Sequence, residues 1–64
     1  MFYYLYTLDT HDIYGPFSKQ SIAHNWAADK RMSRYMLMDE YVRSDKQFAD
    51  QTAITPDGLE VIAQ

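Results

Sequence analysis

DIYGPFSKQSIAHNW, residues 12–26, sets an aromatic-flanked Gly-Pro pair directly before an amphipathic run that carries Trp26, the only tryptophan in the chain. Proline fixes its own φ and pushes the preceding residue out of the helical region, where glycine is permissive, so Gly15-Pro16 reads as a turn closing what precedes it. Ser18 is then the expected N-cap, and the run KQSIAHNWAADKR behind it has helix-compatible composition. Ile22 and Trp26 stand four apart, as do Ala23 and Ala27, which gives one apolar stripe with Lys19, Asn25 and Asp29 away from it. Lys30 and Arg31 suit the C-terminal end of such a helix.

Working outward, FYYLYTLD (residues 2–9) is a succession of β-formers, with Phe2, Tyr4, Tyr6 and Leu8 on one face and Tyr3, Leu5 and Thr7 on the other. Neither face is polar, as expected of a central strand or of one whose second face meets a partner. The Tyr4 and Tyr6 face is expected to pack on the helix, leaving Tyr3 and Leu5 as the more exposed pair. DTHD supplies turn formers, and the short IYG after it can pair back as an edge strand. Residues 33–43 fit two periods: Tyr35, Leu37 and Tyr41 define a strand face, while Tyr35, Met38 and Val42 define a helix face with Ser33 as its cap. Tyr and Val favour the strand, and a lone hairpin makes a poor sheet. SDKQFADQTA is loop-like, anchored by Phe48. TPDGLEVIAQ opens like a short C-terminal helix with Thr55 as cap and Pro56 at its first position, although LEVIA also reads as a strand. The fold class expected is α+β: one small domain over residues 1–64, with an antiparallel sheet and one main helix packed on it.

Composition narrows the chemistry. A chain of 64 residues buries a modest fraction of its surface, and with no cysteine it has neither disulfides nor thiolate metal sites to staple it. His11 and His24 lie thirteen positions apart in unlike contexts, so no metal or other cofactor is expected. MFYYLYTL has no basic flank, no long hydrophobic core and no small-residue cleavage site, which argues against a leader or a membrane span. The expectation is a soluble, cytoplasmic chain that looks like a whole small gene product.

Charge is unevenly placed. Residues 1–18 carry −2, residues 19–46 carry +2 and residues 47–64 carry −3, for a net −3. Acidic ends around a mildly basic middle lack the dense positive stripe that phosphate-backbone binding needs, and single-stranded nucleic acid would have to rely on aromatics beside Lys30, Arg31 and Arg34. Catalytic signals are weak as well. Asp39 and Glu40 are adjacent and point apart, and Ser18 or Ser21 with His24 has no orienting third residue and no oxyanion turn, so no enzyme is expected.

Taken together, Tyr4-Leu5-Tyr6, Gly15-Pro16-Phe17 after eight intervening residues, then Ile22 and Trp26, resemble the motif of the GYF domain and its bacterial GYF-like variants over residues 2–43. The chain departs from that motif in three places. Tyr4 stands for a tryptophan, Trp26 lies one residue further on, and Lys30-Arg31-Met32 occupies the place of Gly-Tyr-Phe. The resemblance implies recognition of proline-rich peptides, whose stiff polyproline ridge loses little entropy on docking against aromatic rings. Carried over residue by residue, the groove would be lined by Tyr4 or Tyr6, Phe17 and Trp26, and Tyr14 joins them as a partner-binding residue. Against this, Trp26 also fits a core position and Phe17 a hydrophobic staple at the start of the helix. The function expected is a non-enzymatic protein-interaction adaptor. The alternative is a small stand-alone regulator or inhibitor, of the phage or mobile-element type, that binds and blocks a folded host protein. A homodimer through the tyrosine-rich first strand would also cover that strand's apolar surface.

Overall fold

Alternation of side chains at period two builds the molecule around its first strand. The computed structural model describes residues 1–56. Its elements are β1 (Tyr3–Thr7), β2 (Ile13–Phe17), α1 (Gln20–Asp29), β3 (Tyr35–Asp39), α2 (Glu40–Arg43) and α3 (Lys46–Ala49). The three strands form one antiparallel sheet in the order β2-β1-β3. The chain is therefore an α+β protein, and its two-sided apolar strand is the central one. The helix expected over residues 55–64 falls mainly outside the described residues.

Each face of the sheet carries its own core. On one side Leu5 and Phe17 pack with Ala23 and Ala27 of α1, flanked by Tyr3, Tyr14, Ile22, Trp26, Met32, Tyr35 and Leu37. On the other, Ile13, Met38 and Phe48 pack with Tyr4, Tyr6 and Ala53. The expected assignment of faces is thus reversed: Tyr3 and Leu5 meet the helix, and Leu5 is fully buried. Alternation fixes which residues share a face. It does not say which face the helix takes; on the side it does take, the two small alanines let it approach Leu5 and Phe17 closely.

Gly15-Pro16 is not a turn. The pair lies inside β2, where the register with β1 shifts between Leu5↔Tyr14 and Tyr3↔Phe17, so that the two residue steps of β1 span three of β2. A one-residue insertion of this kind is a bulge, and it turns every following side chain to the opposite face. Without it Phe17 would share the face of Ile13. With it, Phe17 enters the helix-side core. Proline is tolerated because β2 is an edge strand and a bulge leaves its missing donor without consequence. The outer edge of β2 is covered by the chain's later segment: Gly15 N–H donates to Ile54 O at 3.1 Å, and Ile54 N–H to Ile13 O at 2.7 Å.

Burying Phe17 keeps the chain extended through the end of β2, so two residues are needed to turn it into the helix. The N-cap is accordingly Lys19, not the expected Ser18, and no side chain caps the first turn. Lys19→Asp is expected to stabilise the fold by about 1 kcal/mol through a new cap bond and a favourable charge, raising Tm by roughly 5 °C in a domain of this size. Thermal melts followed by circular dichroism check this. At the other end Arg31 adopts a left-handed φ of 59°, with Met32 N–H donating to Ala27 O at 2.9 Å and Arg31 N–H to Ala28 O at 3.0 Å. This is a Schellman stop, with the Met32 side chain packed back on the core. The residues standing where a GYF domain has its name-giving triplet thus serve here to end the helix.

Residues 33–43 resolve as strand followed by helix. β3 runs to Asp39, whose carboxylate accepts from Val42 N–H at 2.9 Å and so starts α2 on the next residue. Arg43, at the end of α2, then holds α3 in place by donating to Phe48 O at 2.7 Å and to Gln51 O, with its guanidinium 5.6 Å from the Tyr4 ring. Phe48 anchors this segment, as its sequence context implied. Among the described residues no helix is long and apolar enough to cross a membrane.

Candidate functional site

The five aromatic residues singled out from the sequence do not converge on one groove. Tyr4 and Tyr6 lie on the α2–α3 side and are already engaged. Tyr4 is wedged between the Gly15 backbone and Arg43. Tyr6 places its hydroxyl 2.7 Å from His11 Nδ1 and its ring edge-on to Phe48 at 5.2 Å. Phe17 is on the other side of the sheet and 0% exposed, so it is core rather than groove wall.

Tyr14 and Trp26 do come together. Tyr14 projects from β2 toward α1, and its ring centroid lies 5.2 Å from that of Trp26 at an interplanar angle of 41°. Trp26 rests on the buried Phe17 ring at 5.7 Å. Both Tyr14 and Trp26 are half-buried, so each gives one part to the core and one part to the surface. Lys30 Nζ sits 6.0 Å from the indole centroid, the outer limit of a cation–π contact.

Beside this pair an open groove of about 330 Å³ runs along α1, lined by Ile22, Asn25, Trp26 and Asp29. The spacing of these four is i, i+3, i+4, i+7, which places them on one helix face. Asn25 and Asp29 therefore belong to the groove, although the sequence stripe drawn through Ile22 and Trp26 sets them apart from it. The signal was present in their spacing. Polarity hid it.

A second, more polar hollow of about 260 Å³ lies at the end of the sheet, where Thr7, Asp9, Thr10, Tyr14, Arg31, Met32, Ser33 and Arg34 meet. Two of its three charged residues pair, with Arg34 Nη1 3.2 Å from Asp9 Oδ1, both side chains largely exposed. The Thr7 hydroxyl, buried at the base, is satisfied by Thr10 Oγ1 at 2.6 Å and by the backbone of Asp12. Among the described residues no three of His, Asp and Glu gather as metal ligands. His24 Nδ1 is 3.0 Å from the Tyr35 hydroxyl, an exposed pair to which, among the described residues, neither serine nor carboxylate is bonded.

No protein-family model, curated protein or solved structure matches this chain. The class to which fold and surface assign it is a small three-layer α+β domain carrying one aromatic shelf.

Proposed function

We propose that this chain is a non-enzymatic protein-interaction module that binds a partner's proline-rich segment across the Tyr14–Trp26 shelf and the adjoining groove on α1. The observation that carries this is the shelf itself: two aromatic rings 5.2 Å apart, held from beneath by a buried phenylalanine and opening onto a groove with an apolar floor. Rigid, half-exposed aromatics cover large area at small entropic cost, which favours binding. A polyproline ridge matches them because it is apolar, stiff and free of internal hydrogen bonds. Asp29 at one end of the groove favours a ligand with a basic flank. Relative to a GYF-like groove, this surface keeps the tryptophan, replaces the first-strand tyrosine by Tyr14 of β2 and has Phe17 buried beneath it rather than in its wall.

Trp26 is the only tryptophan, so its emission reports on the site without labelling. Titration with a proline-rich peptide carrying a basic flank is expected to shift that emission saturably, and a glycine-serine peptide of equal charge to leave it unchanged. Asn25→Arg, an exposed change that fills the groove, is expected to weaken binding at least tenfold with the circular dichroism spectrum retained, about 1.4 kcal/mol of binding energy. An emission spectrum indifferent to the proline-rich peptide at millimolar concentration contradicts the proposal.

The alternative, a regulator that covers a folded host protein, draws on a different surface. Tyr41 is 72% exposed, and with Val42 and Met36 it gives the β3–α2 side an apolar character of its own.

A further inference from the structure

The two edges of the sheet are treated differently by the sequence. The β2 edge is bulged, carries proline and is covered by Ile54, three devices that stop further strands from adding. The β3 edge has none of these. Its register with β1 is unbroken from Tyr3↔Asp39 to Thr7↔Tyr35, and YMLMD contains no proline, glycine or lysine. Leu8 N–H donates to Arg34 O at 3.0 Å, which fixes the alternation of the ladder. Even-numbered residues of β3 face β1, so the backbone N–H and C=O of Tyr35 and Leu37 point outward. Among the described residues nothing pairs with them. The first strand lies between its two neighbours and cannot mediate the homodimer expected from the sequence.

The segment Arg34–Glu40, RYMLMDE, is self-complementary when read against its own reverse. About a two-fold axis at Leu37, Leu37 meets its own copy, Met36 meets Met38 and Tyr35 meets Asp39, while Arg34, just before the strand, comes to the same end as Glu40, the first residue of the partner's α2. This register also satisfies the hydrogen-bond parity, since the outward-facing residues 35, 37 and 39 oppose one another. From the open edge, the palindromic apolar centre and the opposite charges at its ends, we infer that two copies of this chain pair antiparallel through β3 into one continuous six-stranded sheet. A two-fold interface requires such a self-complementary patch. Arg34 is available for it, because its contact with Asp9 is solvent-exposed, at 69% and 61% for the two side chains, and so of little strength. Glu40 accepts from Phe2 N–H through Oε1 at 2.9 Å, leaving its second oxygen for the partner's arginine. The interface is small, so the association is weak, with a Kd on the order of 100 μM.

Sedimentation equilibrium of the full chain from about 10 μM to 1 mM tests this, the range bracketing that Kd. The expected result is a monomer–dimer equilibrium in which Arg34→Glu and Glu40→Arg each weaken dimerisation about tenfold, since each breaks two symmetry-related ion pairs, while the double reversal restores it. Circular dichroism verifies each monomer. Where a reversal disturbs the fold, Met36→Lys, which sets a charge at the centre of the paired edge, takes its place and is expected to abolish the dimer. A chain monomeric throughout, a dimer indifferent to the reversals, or a double variant as weak as the single ones overturns the inference. Addition of an extended segment from another protein to the same edge, without self-association, overturns it as well.

Discussion

Replacing Gly15 by alanine is expected to destabilise the domain by about 3 kcal/mol or more, enough to populate the unfolded state heavily in a chain of this size. Two independent effects add. Gly15 has φ 148°, a conformation that side-chain-bearing residues rarely adopt. A Cβ there would also stand 2.6 Å from Tyr4 Cδ2 and 3.0 Å from the Tyr3 carbonyl oxygen. The ring cannot simply swing away, since the Arg43 guanidinium lies against it. The backbone carbonyl belongs to the central strand and cannot yield without distorting both ladders. Urea denaturation checks the value. A variant as stable as the parent would mean that β2 does not cross Tyr4 in this register.

Phe17→Ala is expected to cost about 3–5 kcal/mol, the range for deleting a fully buried phenylalanine, and to leave the chain largely unfolded at room temperature. Phe17 is 0% exposed and supports both the alanine face of α1 and the underside of Trp26. Phe17→Leu keeps most of the volume and is expected to remain folded at a cost of about 1 kcal/mol. This pair of variants separates the two roles the sequence left open for Phe17. A groove residue replaced by alanine would leave a stable fold that fails to bind, whereas a core residue removes the fold. Denaturation midpoints of the two variants give the answer directly.

Much of the fold was legible in the sequence because local signals and tertiary demands agreed. FYYLYTL has β-formers on both faces, and it is the central strand. The stripe of Ala23 and Ala27 beside Ile22 and Trp26 marked α1, and the period-two face of Tyr35 and Leu37 marked β3. Where the reading failed, a non-local choice decided. Gly15-Pro16 has the composition of a turn, yet the pairing of Tyr3 with Phe17 and of Ile54 with the other edge holds it inside a strand. The resulting bulge moves Phe17 to the other face of the sheet, which no two-residue period can reveal. α2 and α3, four residues each, are too short for a helical period to register, and they form because Asp39 and Arg43 supply bonds at their ends.

The candidate site was legible in its parts but not in its assembly. Tyr14 and Trp26 lie together, but Tyr4 and Tyr6 are on the far side of the sheet. The first strand's alternation is strict, so Tyr4 and Tyr6 had to share one face. The helix, with its tryptophan, takes the other, because α1 is the crossover between β2 and β3, which run parallel on either side of β1, and such a crossover has a preferred hand.

That separation of the aromatics is the centre of the account, and proton NMR measures it most directly. Nuclear Overhauser contacts are expected from the Trp26 indole to the rings of Tyr14 and Phe17, and from Tyr6 to Phe48, with none between Trp26 and either Tyr4 or Tyr6. A contact from the Trp26 indole to the Tyr4 or Tyr6 ring would contradict it, restoring the groove that the sequence motif implies and removing the Tyr14–Trp26 shelf as a surface in its own right.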